Sequence, residues 1–369
     1  MSRWRPDDDA LPPRRAWDDD NAAEDVDWRP RVDEEPTPAP LSGATPPLVT
    51  AVAAATAALV RLDERLARSP PALRAGWQAR MVLEDAAAAV RLDHGPAVNP
   101  RVLRDHDLGI AVGPSNPDVA RAALVLALLR HLLRRSPRHL FRPARLLAGA
   151  GHRRPAAATR TPGPGRLPAW TGLFVPDRAA IHDALVEALD PVWLGELEGQ
   201  PPLLAAARFV AHWHRCGGGA LLGGTPGRQL AAAWLVRAGL LEAPLPLMNV
   251  GWLGARAAYA PDDPALWPGR FADAAARAAE RGLQLHRNLD SWRSRLQEAA
   301  GEARRASALP RAVEVLVARP GVSATALSTA LGITPRAAQT LLDGLRRRGL
   351  VADLTGRRAF RVWTAPESM

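Results

Sequence analysis

The sequence predicts a mainly α-helical protein that ends in a small module of three helices and a β-hairpin. Apolar residues recur at helical spacing through much of the chain from Leu48 to Ala300. Over residues 309–349, capping side chains, prolines and glycines fall at the intervals that three short helices need. Beyond Gly349, two short apolar/polar segments flank Thr355, Gly356 and Arg357, the pattern of a hairpin.

Length fits two or three domains, since 369 residues exceed one ordinary small domain. Residues 1–47 carry acidic runs at Asp7–Asp9 and Asp18–Asp20, repeated proline and no helical or strand periodicity. Such a composition buries too little apolar surface to offset the entropy of ordering, so the segment reads as a disordered acidic tail. Its Trp4, Trp17 and Trp28 read as incidental composition, with a short interaction motif as the alternative. A helical domain is expected over 48–302 and the small module over 303–369.

In the helical domain Leu59, Leu62 and Leu66 repeat at i, i+3 and i+7, which lays an apolar stripe along the first helix. Further helices are expected over 77–92, 117–135, 177–189, 203–213, 229–238 and 268–300. Gly149 to Pro168, rich in Gly, Pro, Arg and Thr, reads as a loop.

In the terminal module Val313, Leu316 and Val317 form the inner face of one helix, ended by Pro320 and Gly321. Ser323 is a fitting N-cap for a second helix, whose expected inner face is Leu327, Ala330 and Leu331. Gly332 permits a tight turn, Ile333 plugs the core, and Thr334 followed by Pro335 starts a third helix. On that helix Ala338, Leu341, Leu342 and Leu345 point inward, which turns Arg336, Thr340, Asp343 and Arg347 outward. Helix, helix, turn, helix, hairpin is the order of a winged helix-turn-helix, a module that lays its last helix in the major groove of double-stranded DNA. Charge agrees, with nine Arg against four acids from Ala308 to Met369. Base edges would then meet Thr334, Arg336, Ala337, Thr340 and Gln339, phosphates would meet Arg347, Arg357 and Arg358, and Asp343 would share the groove-facing side. A module used for protein contacts alone is the competing reading.

The whole chain has a formal net charge of +10, which favours a polyanionic partner without choosing among DNA, RNA and an anionic membrane. Every basic side chain other than histidine is Arg, a bias of genome composition that carries no functional weight. No apolar run is long enough to span a membrane: Ala122 to Leu129 is bounded by Arg121 and Arg130. The first ten residues include three consecutive Asp and no apolar core, unlike a secretory signal, so a cytoplasmic, nucleoid-associated protein is expected. Cys216 is the single cysteine, which excludes an internal disulfide. His212, His214 and Cys216 suggest a metal site by composition, but side chains two apart on a helix diverge by about 160°, so no metal is expected. No cofactor and no catalytic residue are assigned.

The order of segments in the helical domain resembles the second half of a Fic domain, in which a His-Pro-Phe-x-x-Gly-Asn-Gly-Arg motif joins two helices and binds nucleotide phosphates. Pro201 to Val210 looks like the helix before that motif, and Trp234 to Leu245, with its Gly-Leu-Leu-x-x-Pro, looks like the part after it. Leu62 to Pro70 is similar to helices ahead of such domains. The chain from Leu48 to Ala365 also looks like an uncharacterised alphaproteobacterial, rhizobial-type family that joins a domain of unknown function to a helix-turn-helix. The closest match is at Thr334-Pro-Arg-Ala-Ala and Leu354 to Trp363.

Placed on the Fic motif, Gly227 and Arg228 match its last two residues, Thr225 and Pro226 replace Gly-Asn, and Ala231 stands where a second Arg is expected. Ala220 takes the place of the catalytic His, and a methyl group cannot deprotonate an attacking hydroxyl. The resemblance therefore implies a degenerate, non-catalytic domain used for dimerisation, as a homodimer, or for sensing. Gly217 to Arg228 reads first as a glycine-rich connector without ligand; the alternative is an anion-binding loop at Gly224, Thr225, Gly227 and Arg228, for a nucleotide or phosphate ahead of a helix N-terminus. A Walker loop is excluded because Thr225 stands at the required Lys. DNA binding with transcriptional regulation is the leading expectation. A nucleotidyltransferase with a rearranged site and a toxin–antitoxin partner are the alternatives.

Overall fold

The Leu59, Leu62 and Leu66 stripe forms as expected: all three are buried on helix α1, Leu48–Ala67, in the computed structural model of the chain. That structure describes residues 48–95, 97–110, 116–134, 140–141, 178–301, 308–355 and 361–366. The acidic segment 1–47, the loop expected over 149–168 and the hairpin turn with Arg357 and Arg358 lie outside the described residues.

Among the described residues the body continues through α2 Pro71–His94, α3 Pro100–Asp107, α4 Pro117–Leu133, α5 Arg178–Ala188, α6 Pro191–Leu197, α7 Pro202–Arg215, α8 Gly218–Leu222 and α9 Gly224–Arg237. Their starts follow local chemistry. Asn99, Asn116 and Asp190 each cap a helix whose first residue is proline, and each side chain accepts backbone N–H groups of the first turn. α3, α6 and α8 were not expected from periodicity, because each is too short to show one. α9 begins five residues before the expected Gln229.

The long helix α10, Trp267–Gly301, is the spine. At 1.5 Å per residue it runs about 52 Å, and one face stays buried from Trp267 through Trp292 to Ala300. α1 packs along it, and Trp77 of α2 donates its indole N–H to Gly282 O at 2.8 Å. At its start Trp267 stacks on Trp252 with centroids 5.3 Å apart and donates to Ala207 O of α7 at 2.7 Å. A second, smaller core lies between α2, α3 and α4, around Val90, Leu103, Val125 and Leu126.

The terminal module consists of α11 Leu309–Ala318, β1 Val322–Ser323, α12 Ala324–Leu331, α13 Pro335–Arg347, β2 Ala352–Asp353 and β3 Val362–Thr364. Val313, Leu316 and Val317 are buried, and Ser323 caps α12 by accepting from Ala326 N. Gly332 takes φ +66°, the left-handed conformation that the turn requires and glycine adopts without strain. The inner face of α12 differs by one residue from expectation. Ala330 is exposed and Ser328 is buried in its stead, with its hydroxyl satisfied by Thr325 O at 2.9 Å. The strands make a three-stranded antiparallel sheet in the order β1-β3-β2, with Val322 opposite Trp363 and Ala352 opposite Thr364. β1, only two residues long, had no sequence signature.

The boundary read at 302–303 falls among residues outside those described, and the described parts on either side of it share buried contacts. Ala44–Met369 forms one compact unit, and the buried cluster that holds α1, α7 and α10 also holds Val313, Leu342 and Trp363. Arg80 of α2 donates to Val317 O at 3.0 Å and Arg319 O at 2.8 Å, and its guanidinium lies 5.8 Å from the Trp292 ring centroid. Burial, together with the charge of Arg104, brings the Arg80 pKa down to about 10. Trp292 in turn donates to Leu350 O at 2.7 Å. Among the described residues no helix is long and apolar enough to cross a membrane.

Candidate nucleic-acid interface

α13 is oriented by its inner face: Ala338, Leu342 and Leu345 are buried against the module's core, which turns the opposite side outward. Thr334 caps it, its hydroxyl accepting from Ala337 N at 3.2 Å, and Pro335 occupies the first position, where a missing N–H costs nothing. Leu341, expected inward, is half-buried at the edge of the helix.

Thr334, Arg336, Ala337, Thr340 and Arg347 are exposed, as the outward face requires. Gln339 and Asp343 are half-buried and engaged within the module. Gln339 Nε2 donates to Asp343 Oδ2 at 2.9 Å, and Arg361, just before β3, lies 3.4 Å from Asp343 and 3.4 Å from Asp353 of β2. Asp343 therefore ties the hairpin to α13, a role that no helical-wheel argument contains. Thr340 is exposed, but its hydroxyl donates to Arg336 O at 3.0 Å. Ala337, Thr340, Leu341 and Gly344 form one wall of an open groove of about 840 Å³, with Ala299 at the end of α10 and Leu309 at the start of α11 opposite.

The loop Gly224–Arg228 is arranged otherwise than as an open anion nest. All of Gly224, Thr225, Gly227 and Arg228 are buried in the first turns of α9. The carboxylate of Asp93, at the end of α2, sits at this helix N-terminus: it accepts from Thr225 N at 3.2 Å, Thr225 Oγ1 at 2.8 Å and Arg228 Nη2 at 2.8 Å. Arg228 also donates to Asn249 Oδ1, to the Tyr259 hydroxyl at 2.9 Å and to Thr225 Oγ1 at 3.1 Å. Burial acts to lower the guanidinium pKa, but Asp93 and Tyr259 outweigh it and the net direction is up. The anion that the helix terminus and Arg228 hold is thus an internal one.

Beside this cluster Asp85 has no exposed surface and accepts four N–H bonds, from Gln229 Nε2, Asn249 N, Asn249 Nδ2 and Val250 N, at 2.7–3.0 Å. Burial pushes its carboxyl pKa up to about 6 in spite of those donors. Asp85, Asp93, Asn249 and Tyr259 escaped sequence reasoning, although a charged residue just before Ala86–Ala89 and the chain's one Tyr were visible signals.

The side chains of His212, His214 and Cys216 do not converge on one point. His214 Nε2 lies 2.8 Å from the Tyr259 hydroxyl, while His212 stacks on Trp193 at 3.7 Å and meets Cys216 Sγ. Burial, and after it Glu187, pushes the Cys216 thiol up to about 12, so it stays protonated. Among the described residues no three His, Cys, Asp or Glu side chains come together as an ion would need.

Known proteins bear on both parts of the chain. Residues 309–365 match a family model described as "HTH DNA binding domain". The chain is 28% identical over 367 residues to "Uncharacterized protein y4cF" of Sinorhizobium fredii, covering 82% of this chain and 93% of that protein. A rhizobial relative, expected from the terminal motifs, is therefore found along most of the chain. The crystal structure of a Fic family protein from Desulfovibrio desulfuricans G20 aligns over 88% of this chain and 97% of that one, at 14% identity and a TM-score of 0.42. A likeness of that size carries no activity across. The family match falls on the segment where α11, α12, α13 and the hairpin assemble around one core, so residues 309–365 are a helix-turn-helix DNA-binding domain.

Proposed function

We propose that this protein is a transcriptional regulator that binds defined sites on double-stranded DNA through α13, with the helical body as a non-catalytic scaffold. The observation that carries this reading is the placement of Arg336 and Arg347 on the exposed side of α13 in a helix-turn-helix domain. They stand eleven positions apart, about 16 Å at helical rise. Arg336, in the first turn, has the reach and the donor fork to pair with guanine O6 and N7, and Arg347, in the last turn, suits a phosphate. Such a protein works on the nucleoid, inside the cell.

Selection of duplexes from a random pool by the purified chain tests this directly. A motif should be enriched. Arg336→Ala should relax the preference at one position by about 1–3 kcal/mol. Arg347→Ala should weaken binding to every sequence alike and reduce the slope of log affinity against log salt by about one. A motif with twofold symmetry would put two copies on the DNA. Uniform low-salt binding with no enriched motif would overturn the reading.

The scaffold role rests on chemistry. In the Fic resemblance Ala220 stands at the position of the base, and Arg228 spends its donors on Asp93, Asn249, Tyr259 and Thr225. Incubation with labelled ATP should leave protein and nucleic acid unlabelled. Label transferred by the intact chain would favour the nucleotidyltransferase instead.

A further inference from the structure

The polar side chains at the middle of α13 are already committed within the protein. Bidentate readout of adenine by an amide side chain needs a free carboxamide, but Gln339 donates to Asp343 at 2.9 Å, and Asp343 also holds Arg361 of the hairpin. Thr340 spends its hydroxyl hydrogen on Arg336 O at 3.0 Å. What the centre still offers is the exposed Ala337 methyl, the exposed Thr340 methyl with an acceptor oxygen, and the half-buried Gly344 backbone, all three also lining the groove beside the helix. Positions 337, 340 and 344 lie on one side of the helix, at i, i+3 and i+7. They span about 10 Å, close to three base-pair steps.

The one alkyl group that the four bases present in the major groove is the 5-methyl of thymine, the group that suits an apolar surface of this kind. We propose that Ala337 and Thr340 read thymine methyl groups at the centre of the DNA site, between the base contacted by Arg336 and the phosphate contacted by Arg347. The inference rests on the DNA-binding reading above and names the chemistry by which that site discriminates. It predicts thymine on either strand within a core of about three base pairs, next to a guanine read by Arg336.

The test uses the selected duplex and the intact chain. Each thymine of the core is replaced in turn by deoxyuridine, which deletes the 5-methyl and leaves every hydrogen-bonding group. At least one replacement should weaken binding about fourfold, the effect of removing one methyl from contact. Thr340→Ser keeps the hydroxyl and loses the methyl, so it should weaken binding to the thymine duplex and abolish the penalty for deoxyuridine at its partner position. Thr340→Val loses the hydroxyl and keeps the shape, and should retain affinity. Thr340 is exposed, so both variants are expected to fold, and the deoxyuridine series needs no variant at all. Specific binding indifferent to every deoxyuridine, or lost in Thr340→Val and kept in Thr340→Ser, would overturn the proposal while leaving DNA binding intact. Failure to enrich any site would overturn the regulator reading itself.

Discussion

Arg228→Ala is expected to destabilise the fold by about 3–5 kcal/mol, measured by chemical denaturation, because it leaves a mostly buried carboxylate without its cation. Arg228 has no exposed surface and Asp93 little, so solvent screens the pair weakly. The loss reaches further than one ion pair. Asn249 Oδ1 and the Tyr259 hydroxyl lose a donor, the cation over the Tyr259 ring at 5.1 Å disappears, and α2, α9 and the 249–259 segment lose their common link. Removing both charges separates the causes. Arg228→Met with Asp93→Asn keeps an acceptor for Thr225 N, fills most of the side-chain volume and leaves no buried charge unpaired. It should recover much of the loss. Equal losses in the single and double variants would show that the pair is not the source. Because the donors are spent internally, millimolar ATP or inorganic phosphate should leave the unfolding midpoint of the unaltered chain where it is. A ligand-dependent rise would mean that Asp93 yields its place to a bound anion.

What could be read from the sequence was local, and what could not be read was contact between distant segments. Ser323 and Thr334 are helix caps whose bonds reach three residues on, and Gly332 fixes a turn by its own backbone, so the helix-turn-helix order was legible residue by residue. The same cap-plus-proline signal stands at Asn99-Pro100 and Asp190-Pro191, and would have found α3 and α6 had it been weighed above periodicity. The buried polar cluster is another matter. Asp85 meets Gln229 across 144 positions and Asn249 across 164, and Arg228 meets Asp93 across 135, distances over which no spacing rule operates. For the same reason nothing in Gly224–Arg228 itself pointed to the Asp93 carboxylate at the end of α2 that occupies this helix N-terminus. On α13 the wheel placed Arg336, Thr340 and Arg347 on the exposed face, but had no means of showing that Arg361 engages Asp343.

Gly76→Ala is expected to lower stability although alanine is the better helix former by about 1 kcal/mol. The glycine lies inside α2 where α11 of the DNA-binding domain crosses it, and a Cβ there would stand 2.0 Å from the Val317 carbonyl oxygen. Backbone cannot yield as a side-chain tip does, so α11 has to move away by more than an ångström. Overpacking of that kind costs about 1–3 kcal/mol, occasionally more, enough to reverse the sign expected from helix propensity. The same movement pulls Val317 O and Arg319 O from the Arg80 guanidinium, whose charge then has weaker partners in a buried setting. Since Trp292 and Leu350 close the other side of the contact, the body and the DNA-binding domain share one core. The intact chain should therefore unfold in a single calorimetric transition, and Gly76→Ala should shift that whole transition downward. Two transitions, with only one displaced by the substitution, would mean that α11 to β3 folds apart from α10. Stability at or above that of the parent chain would mean that α2 and α11 do not meet at Gly76.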